Sequence, residues 1–282
     1  MPPERPPPPA SNRPIDRLLA VMAQLRHPEH GCPWDVAQSF ATIAPFTIEE
    51  AYEVADAIER NDLIGLKEEL GDLLFQVVFH SRMAEEAGQF DFDGVAADLA
   101  AKMIRRHPHV FAAAAEVRDA DTQTVAWEAH KAAERQARHG GGDVSALAGV
   151  PVNLPALVRA QKLQKRASRV GFDWNDPRPA LNKLAEEIDE LRAELDAPDR
   201  DAGKVEEEVG DLLFAAVNAV RLAGADAETA LRRANAKFER RFARVEALLA
   251  GRGRTAATST LAEMDELWNA VKIEERKDAS AG

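Results

Sequence analysis

The chain has 282 residues, 45% of them hydrophobic and 30% charged, with a net charge of −12. That length suits two domains of ordinary size and allows a sizeable core. The acidic balance argues against DNA, RNA or an anionic membrane as partner, because their phosphates repel such a chain. A phosphate ligand stays possible where metal ions and a few local Arg or Lys residues reverse the field.

The first stretch, "MPPERPPPPASNRP" (1–14), is expected to be an extended, disordered Pro-rich tail. It has no apolar segment and does not read as a signal peptide. The single cysteine, Cys32, excludes an internal disulfide and fits a reduced, cytoplasmic chain. No apolar run approaches the roughly 18 residues of a membrane helix.

Helical patterns follow in order. "IDRLLAVMAQLR" carries apolar residues at 15, 18, 19, 22 and 25, one helical stripe. "TIEEAYEVADAIER" places Ile48, Ala51, Tyr52, Ala55 and Ile58 on one face, with Thr47 as the expected N-cap. "LIGLKEELGDLLFQVVFHSRMAEEAG" is apolar nearly all round in its middle, and is expected to be covered on several sides. "DGVAADLAAKMIRRH" ends near Pro108. No stretch alternates as a strand does.

The design then repeats. "EEAYE" (49–53) matches "EEIDE" (186–190), and "EELGDLLF" (68–75) matches "EEVGDLLF" (207–214). Lys102, Arg105 and Arg106 match Lys237, Arg240 and Arg241. Trp127, Lys131, Glu134 and Arg135 match Trp268, Lys272, Glu275 and Arg276. Between the copies, 139–156 is a Gly/Pro linker. The expected organisation is therefore a tail (1–14), an N-terminal helical domain (15–138), the linker, and a C-terminal helical domain (157–279). The fold class is all-α, two tandem helical bundles.

Helix spacing directs the chemistry. Residues three apart share a face, so Glu50 and Glu53 point together, as do Glu69 and Asp72 on the next helix. Antiparallel packing of the two helices would gather four carboxylates. The second copy repeats this with Glu187, Glu190, Glu208 and Asp211. Four ionised acids at close range repel strongly, so water, basic partners or a divalent cation must offset them. All-oxygen ligands select Mg²⁺ or Mn²⁺. An ordinary solvated helix face explains Glu49, Glu68, Glu186 and Glu207 better. It fits Asp72 and Asp211 poorly, since each directly precedes "LLF" in a core-bound helix. A di-iron bundle needs Glu-x-x-His pairs, and none of the seven histidines has Glu three positions before it.

Lys237, Arg240 and Arg241 share one helical face and could bind a polyphosphate, the Arg side chains forking two oxygens. Taken alone, a basic surface stripe pairing with the abundant acids explains them better; beside a metal site the polyphosphate reading gains weight. Trp268 by default packs against its partner domain, with stacking on a base as the alternative.

These residues together resemble the MazG family of nucleoside triphosphate pyrophosphohydrolases, whose pattern is Glu-Glu-x-x-Glu, a spacer, then Glu-x-x-Asp. Both halves carry it, and "GCPWD", "RRHPHVF", "VGFDW" and "KFERRF" strengthen the likeness, which spans 15 to 276. The resemblance implies an all-α fold that forms a homodimer. It implies Mg²⁺-dependent cleavage of NTPs or dNTPs between the α and β phosphates, giving a monophosphate and pyrophosphate. It puts the metal ligands at Glu187, Glu190, Glu208 and Asp211, and nucleotide contacts at Lys237, Arg240, Arg241 and Trp268, with Lys183 and Lys204 in the same role. Glu187 or Glu190 is the expected base that orients or deprotonates water. The second half is the expected main site, because Lys183 and Lys204 stand where the first half has Phe46 and Gly65. Glu50, Glu53, Glu69 and Asp72 form a second candidate site. Two alternatives stay open here: a non-enzymatic helical regulator binding nucleotides or a protein, and a pyrophosphohydrolase of another nucleotide, such as phosphoribosyl-ATP.

Overall fold

The computed structural model describes residues 13–111 and 145–281, and every regular element among them is helical. The chain divides into two compact units, Met1–Ala132 and Ala133–Gly282. Residues 1–12, the linker's Gly run, and Trp127, Lys131, Glu134 and Arg135 lie outside the described residues.

The first unit runs α1 (Pro14–Leu25), α2 (Pro33–Ala37), α3 (Phe40–Glu59), α4 (Leu63–Glu86), α5 (Phe92–Arg106) and α6 (Pro108–Phe111). Aspartates start the long helices: Asp62 accepts from Gly65 N and Asp91 from Gly94 N. Such caps satisfy backbone N–H groups that have no partner inside the helix. Helix α4 ends where Gly88 turns left-handed (φ 66°) and Gln89 N bonds back to Ala84 O. The core joins α1, α3 and α4 through Met22, Ile43, Val78, Phe79 and Met83, with Leu18, Leu19, Phe75 and Phe92 packed against it.

Three sequence expectations change here. Helix α3 begins at Phe40, not at Thr47. Ser39 and Thr42 form a capping box, and Pro45 is accommodated inside the helix at the cost of one backbone hydrogen bond. Thr47 instead lies mid-helix, its hydroxyl 3.1 Å from His80 Nε2. The stripe Ile48, Tyr52 and Ile58 stays exposed, while Ala57 is buried. Helix α4 is covered on one side only: Val78, Phe79 and Met83 are buried, whereas Leu70, Leu74 and Val77 are exposed.

The second unit runs α7 (Ala156–Ser168), α8 (Pro177–Asp196), α9 (Ala202–Leu222), α10 (Ala227–Ala250), a short 3₁₀ turn (Ala256–Thr258) and α11 (Leu261–Ala281). Asp176, Asp201 and Asp226 cap α8, α9 and α10. Buried Gln161 on α7 accepts from Ala227 N at 2.9 Å, tying α7 to the start of α10. Helices α10 and α11 form a hairpin with its own core of Val245, Leu249, Leu267 and Val271. Around the hollow where α7, α8 and α9 meet, the buried residues are small or polar: Ala180, Ala215, Gln164 and Glu187.

Candidate metal centre and active site

Helices α8 and α9 run antiparallel after a short connection, as α3 and α4 do. That geometry gathers the acids. Oxygens of Glu187, Glu190 and Glu208 lie within 4.8 Å of one another, as do those of Glu50, Glu69 and Asp72. The fourth acid stands close in each half. Asp211 raises the Glu208 pKa by its charge, and Glu53 does the same to Glu50 and Glu69.

The two clusters differ in counter-charge. In the second unit Lys183 Nζ sits 2.7 Å from Glu186, 2.8 Å from Glu187 and 3.9 Å from Glu190. Hydrogen bonds to Glu186 and Glu187 push its pKa up, so it is a permanent cation at neutral pH. Lys204 lies at the flank, 4.0 Å from Glu194. In the first unit Phe46 occupies the position of Lys183 and packs edge-on to Trp34. There Gln76 Nε2 donates to Glu50 at 3.5 Å.

Even with Lys183 present, the second cluster is short of positive charge. Partial burial, then the charges of Glu187 and Asp211, raise the Glu208 carboxyl above the usual range. Partial burial raises Glu190 too; Lys183 opposes this and Glu187 reinforces it. Glu187 itself is 5% exposed. Converging oxygens that resist ionisation in one another's company, one of them buried, fit a hard divalent cation.

The remaining predicted residues sit on the hairpin. Arg240 and Arg241 both pair with Glu275, at 3.0 and 2.7 Å. The Trp268 ring lies 5.2 Å from that of Phe238, with the Arg241 guanidinium 5.8 Å from its centre. Trp268 also packs on the hairpin core. Lys237, Arg240 and Arg241 thus share one region of α10, and the two arginines pair with Glu275 rather than with the acid cluster.

Sequence reasoning missed the hollow beside the cluster. A cavity of about 650 Å³ lies between α7, α8 and α9, lined by Lys183, Glu187 and Asp211 on one side and by Gln164, Trp174 and Asn218 among others. Buried glutamines on α7 were the available signal, but a Gln in an amphipathic helix ordinarily reads as surface.

The second unit is thus an all-α bundle that sets a carboxylate cluster on two antiparallel helices, with a lysine at its edge, an arrangement that could hold a divalent cation. The comparisons narrow this. The family model described as MazG nucleotide pyrophosphohydrolase domain matches residues 38–111 and 176–245, and the chain belongs to the MazG family. It is 52% identical over 263 residues to the "Nucleoside triphosphate pyrophosphohydrolase" of Escherichia coli (strain K12), covering 93% of this chain and 98% of that one. It is 39% identical to the "Nucleoside triphosphate pyrophosphohydrolase/pyrophosphatase MazG" of Thermotoga maritima, covering 92% and 95%. It is 40% identical to the "Uncharacterized protein YabN" of Bacillus subtilis (strain 168), but covers only 51% of that protein.

Proposed function

We propose that the protein is a Mg²⁺-dependent nucleoside triphosphate pyrophosphohydrolase, ATP among its substrates, releasing pyrophosphate and a nucleoside monophosphate. The observation that carries this is the convergence of Glu187, Glu190 and Glu208 oxygens within 4.8 Å, with Lys183 at their edge. The names of the relatives that match along nearly their whole length support it. Glu187, Glu190, Glu208 and Asp211 would hold the cation, which when bound offsets their repulsion, polarises the phosphate and acidifies water.

The chain's own groups divide the remaining work. Glu190, the most exposed of the three converging acids, is suited to orient the attacking water and take its proton. Lys183 holds Glu187 and Glu190 in place and presents a charge to a phosphate oxygen. Lys204, Lys237, Arg240 and Arg241 supply the cations that the leaving pyrophosphate requires, with Trp268 beside them. The second half is the main site, since Lys183 has no cationic counterpart at Phe46.

The exposed apolar residues of the acid-bearing helices, among them Leu181, Leu213 and Phe214, support a homodimer that covers them. No helix among the described residues is long and apolar enough to cross a membrane; the proposed setting is the cytoplasm, with no nucleic-acid partner. Replacing Glu190 by Gln should lower kcat by at least about 100-fold while the circular dichroism spectrum stays that of the parent. Glu53→Gln should retain most activity. Near-parental turnover in Glu190→Gln refutes the assignment.

A further inference from the structure

Each copy of the repeat ends on one further motif: Trp268, Lys272 and Glu275, matched by Trp127, Lys131 and Glu134. Trp268 stands beside the cations that take the phosphates, but Glu275 has no task in the catalytic scheme. Arg240 and Arg241 are consecutive on α10, and consecutive helical residues point about 100° apart. Left to the helix alone, their guanidiniums would diverge. Glu275, opposite them on α11, brings them together. Its Oε1 accepts from Arg240 Nε at 3.3 Å and Nη2 at 3.0 Å, and its Oε2 accepts from Arg241 Nε at 2.8 Å. Arg241 Nη2 lies 2.7 Å from that second oxygen. One carboxylate thus holds one guanidinium on each oxygen. The first copy keeps the same set in its sequence, Arg105 and Arg106 with Glu134.

The grip is firm on one side and open on the other. The Arg241 side chain is 19% exposed, and its guanidinium lies 5.8 Å from the centre of the Trp268 ring, which packs on the hairpin core. The Arg240 side chain is 65% exposed. Hydrogen bonds from Arg241, then from Arg240, outweigh desolvation and hold the Glu275 carboxyl below its ordinary range, so it is ionised at neutral pH. Both arginines use Nε and Nη2 for Glu275, and Nη1 of each has no hydrogen bond among the described residues. A guanidinium has five N–H donors, so each keeps donors for a second anion. Two guanidiniums this close repel, and the carboxylate between them offsets that repulsion. As a stability device the contact is weak, because partly exposed ion pairs contribute little to folding. Its consequence is geometric: two adjacent cations with one edge fixed and another edge unused, a shape that suits a chain of phosphates.

We propose that Glu275 is a positioning residue, which presets Arg240 and Arg241 as one two-armed grip for the phosphates of the nucleotide. The role rests on the nucleotide reading proposed above. Charge alone predicts the opposite effect, since removing an acid beside two cations should draw a polyphosphate in more tightly. The test uses the full chain in a double-mutant cycle: Glu275→Gln, the pair Arg240→Lys with Arg241→Lys, and all three substitutions together. For each, kcat/KM is measured for a nucleoside triphosphate with Mg²⁺, and the affinity for inorganic tripolyphosphate with Mg²⁺ is measured by calorimetry. Glu275→Gln should lower both about tenfold. In the two-lysine background, which has no fork to preset, the same substitution should change neither by more than about twofold. Values for Glu275→Gln at or above those of the parent overturn the proposal, because simple attraction then governs. So does an equal loss in both backgrounds, which a merely structural role in the hairpin would give. Should the parent chain release no pyrophosphate at all, the catalytic reading fails by itself, and the tripolyphosphate cycle decides alone. A loss confined to the arginine background then upholds the grip; an equal loss, no loss, or no binding by the parent overturns it.

Discussion

At the scale of single residues, charge is placed by what surrounds it. Arg26 is nearly buried over the Phe79 ring and pairs with Glu86 at 2.7 Å, while Arg82 reaches the same carboxylate at 2.9 Å. Burial works to raise the Glu86 pKa, but the hydrogen bonds from Arg26 and Arg82 outweigh it, and the carboxyl is held below its ordinary value of 4.5. A depressed folded pKa contributes stability above the unfolded value, and that contribution is lost as pH falls through the folded one. Glu86→Gln should therefore cost about 1–2 kcal/mol near pH 7, and the gap should narrow below about pH 4.5. Urea denaturation of both forms at pH 7 and pH 4 checks it; a gap that does not change with pH would show that the ion pair is not its source. The acid motifs were legible residue by residue, because helical spacing alone puts Glu187 with Glu190 and Glu208 with Asp211 on common faces. Asn218 was not legible. It stands on the wall of the cavity beside the acid cluster, and only three dimensions show that the neighbouring helices do not close over it.

Among the elements, the hairpin of α10 and α11 carries Lys237, Arg240, Arg241 and Trp268, held by a core of Val245, Leu249, Leu267 and Val271. Leu249 is 1% exposed. Leu249→Ala should destabilise by about 2–4 kcal/mol, raise amide exchange in residues 240–275, and weaken nucleotide binding while leaving Mn²⁺ uptake by the acid cluster intact. Equal loss of metal and nucleotide would mean that the hairpin supports the acid helices themselves. Helix existence followed from apolar periodicity and from Asp caps. Where α3 begins did not, because Pro45 argues for a break and only the Ser39–Thr42 box shows that the helix starts before it. Burial of α4 was overread for a related reason: an apolar circumference says that a helix is covered, not that its own unit covers it.

At the scale of the whole molecule, duplication explains both likeness and divergence. The units share the acid-bearing helix pair, the Asp caps of its second helix and of the helix that follows, and the acid spacing, yet the first fills its centre with Phe79 and has Phe46 ahead of its acids, whereas the second has Asn218 and Lys183. The apolar residues left outside, Leu213 at 53% exposure and Leu181 at 52%, are the ones a second subunit would cover. Leu213→Glu should shift the sedimentation coefficient to that of a single chain, since a carboxylate in an apolar interface loses its hydration. An unchanged dimer would put the interface elsewhere.

The proposed catalysis depends on a divalent ion held by the carboxylates of the second unit. Its most direct test is the initial rate of pyrophosphate release from a nucleoside triphosphate, followed against Mg²⁺ concentration. The rate should rise from zero to a plateau in the parent and in the chain bearing Glu50→Gln with Glu53→Gln, and stay flat in the chain bearing Glu187→Gln with Glu190→Gln. Metal-free release, or loss from the first pair with retention in the second, would contradict it.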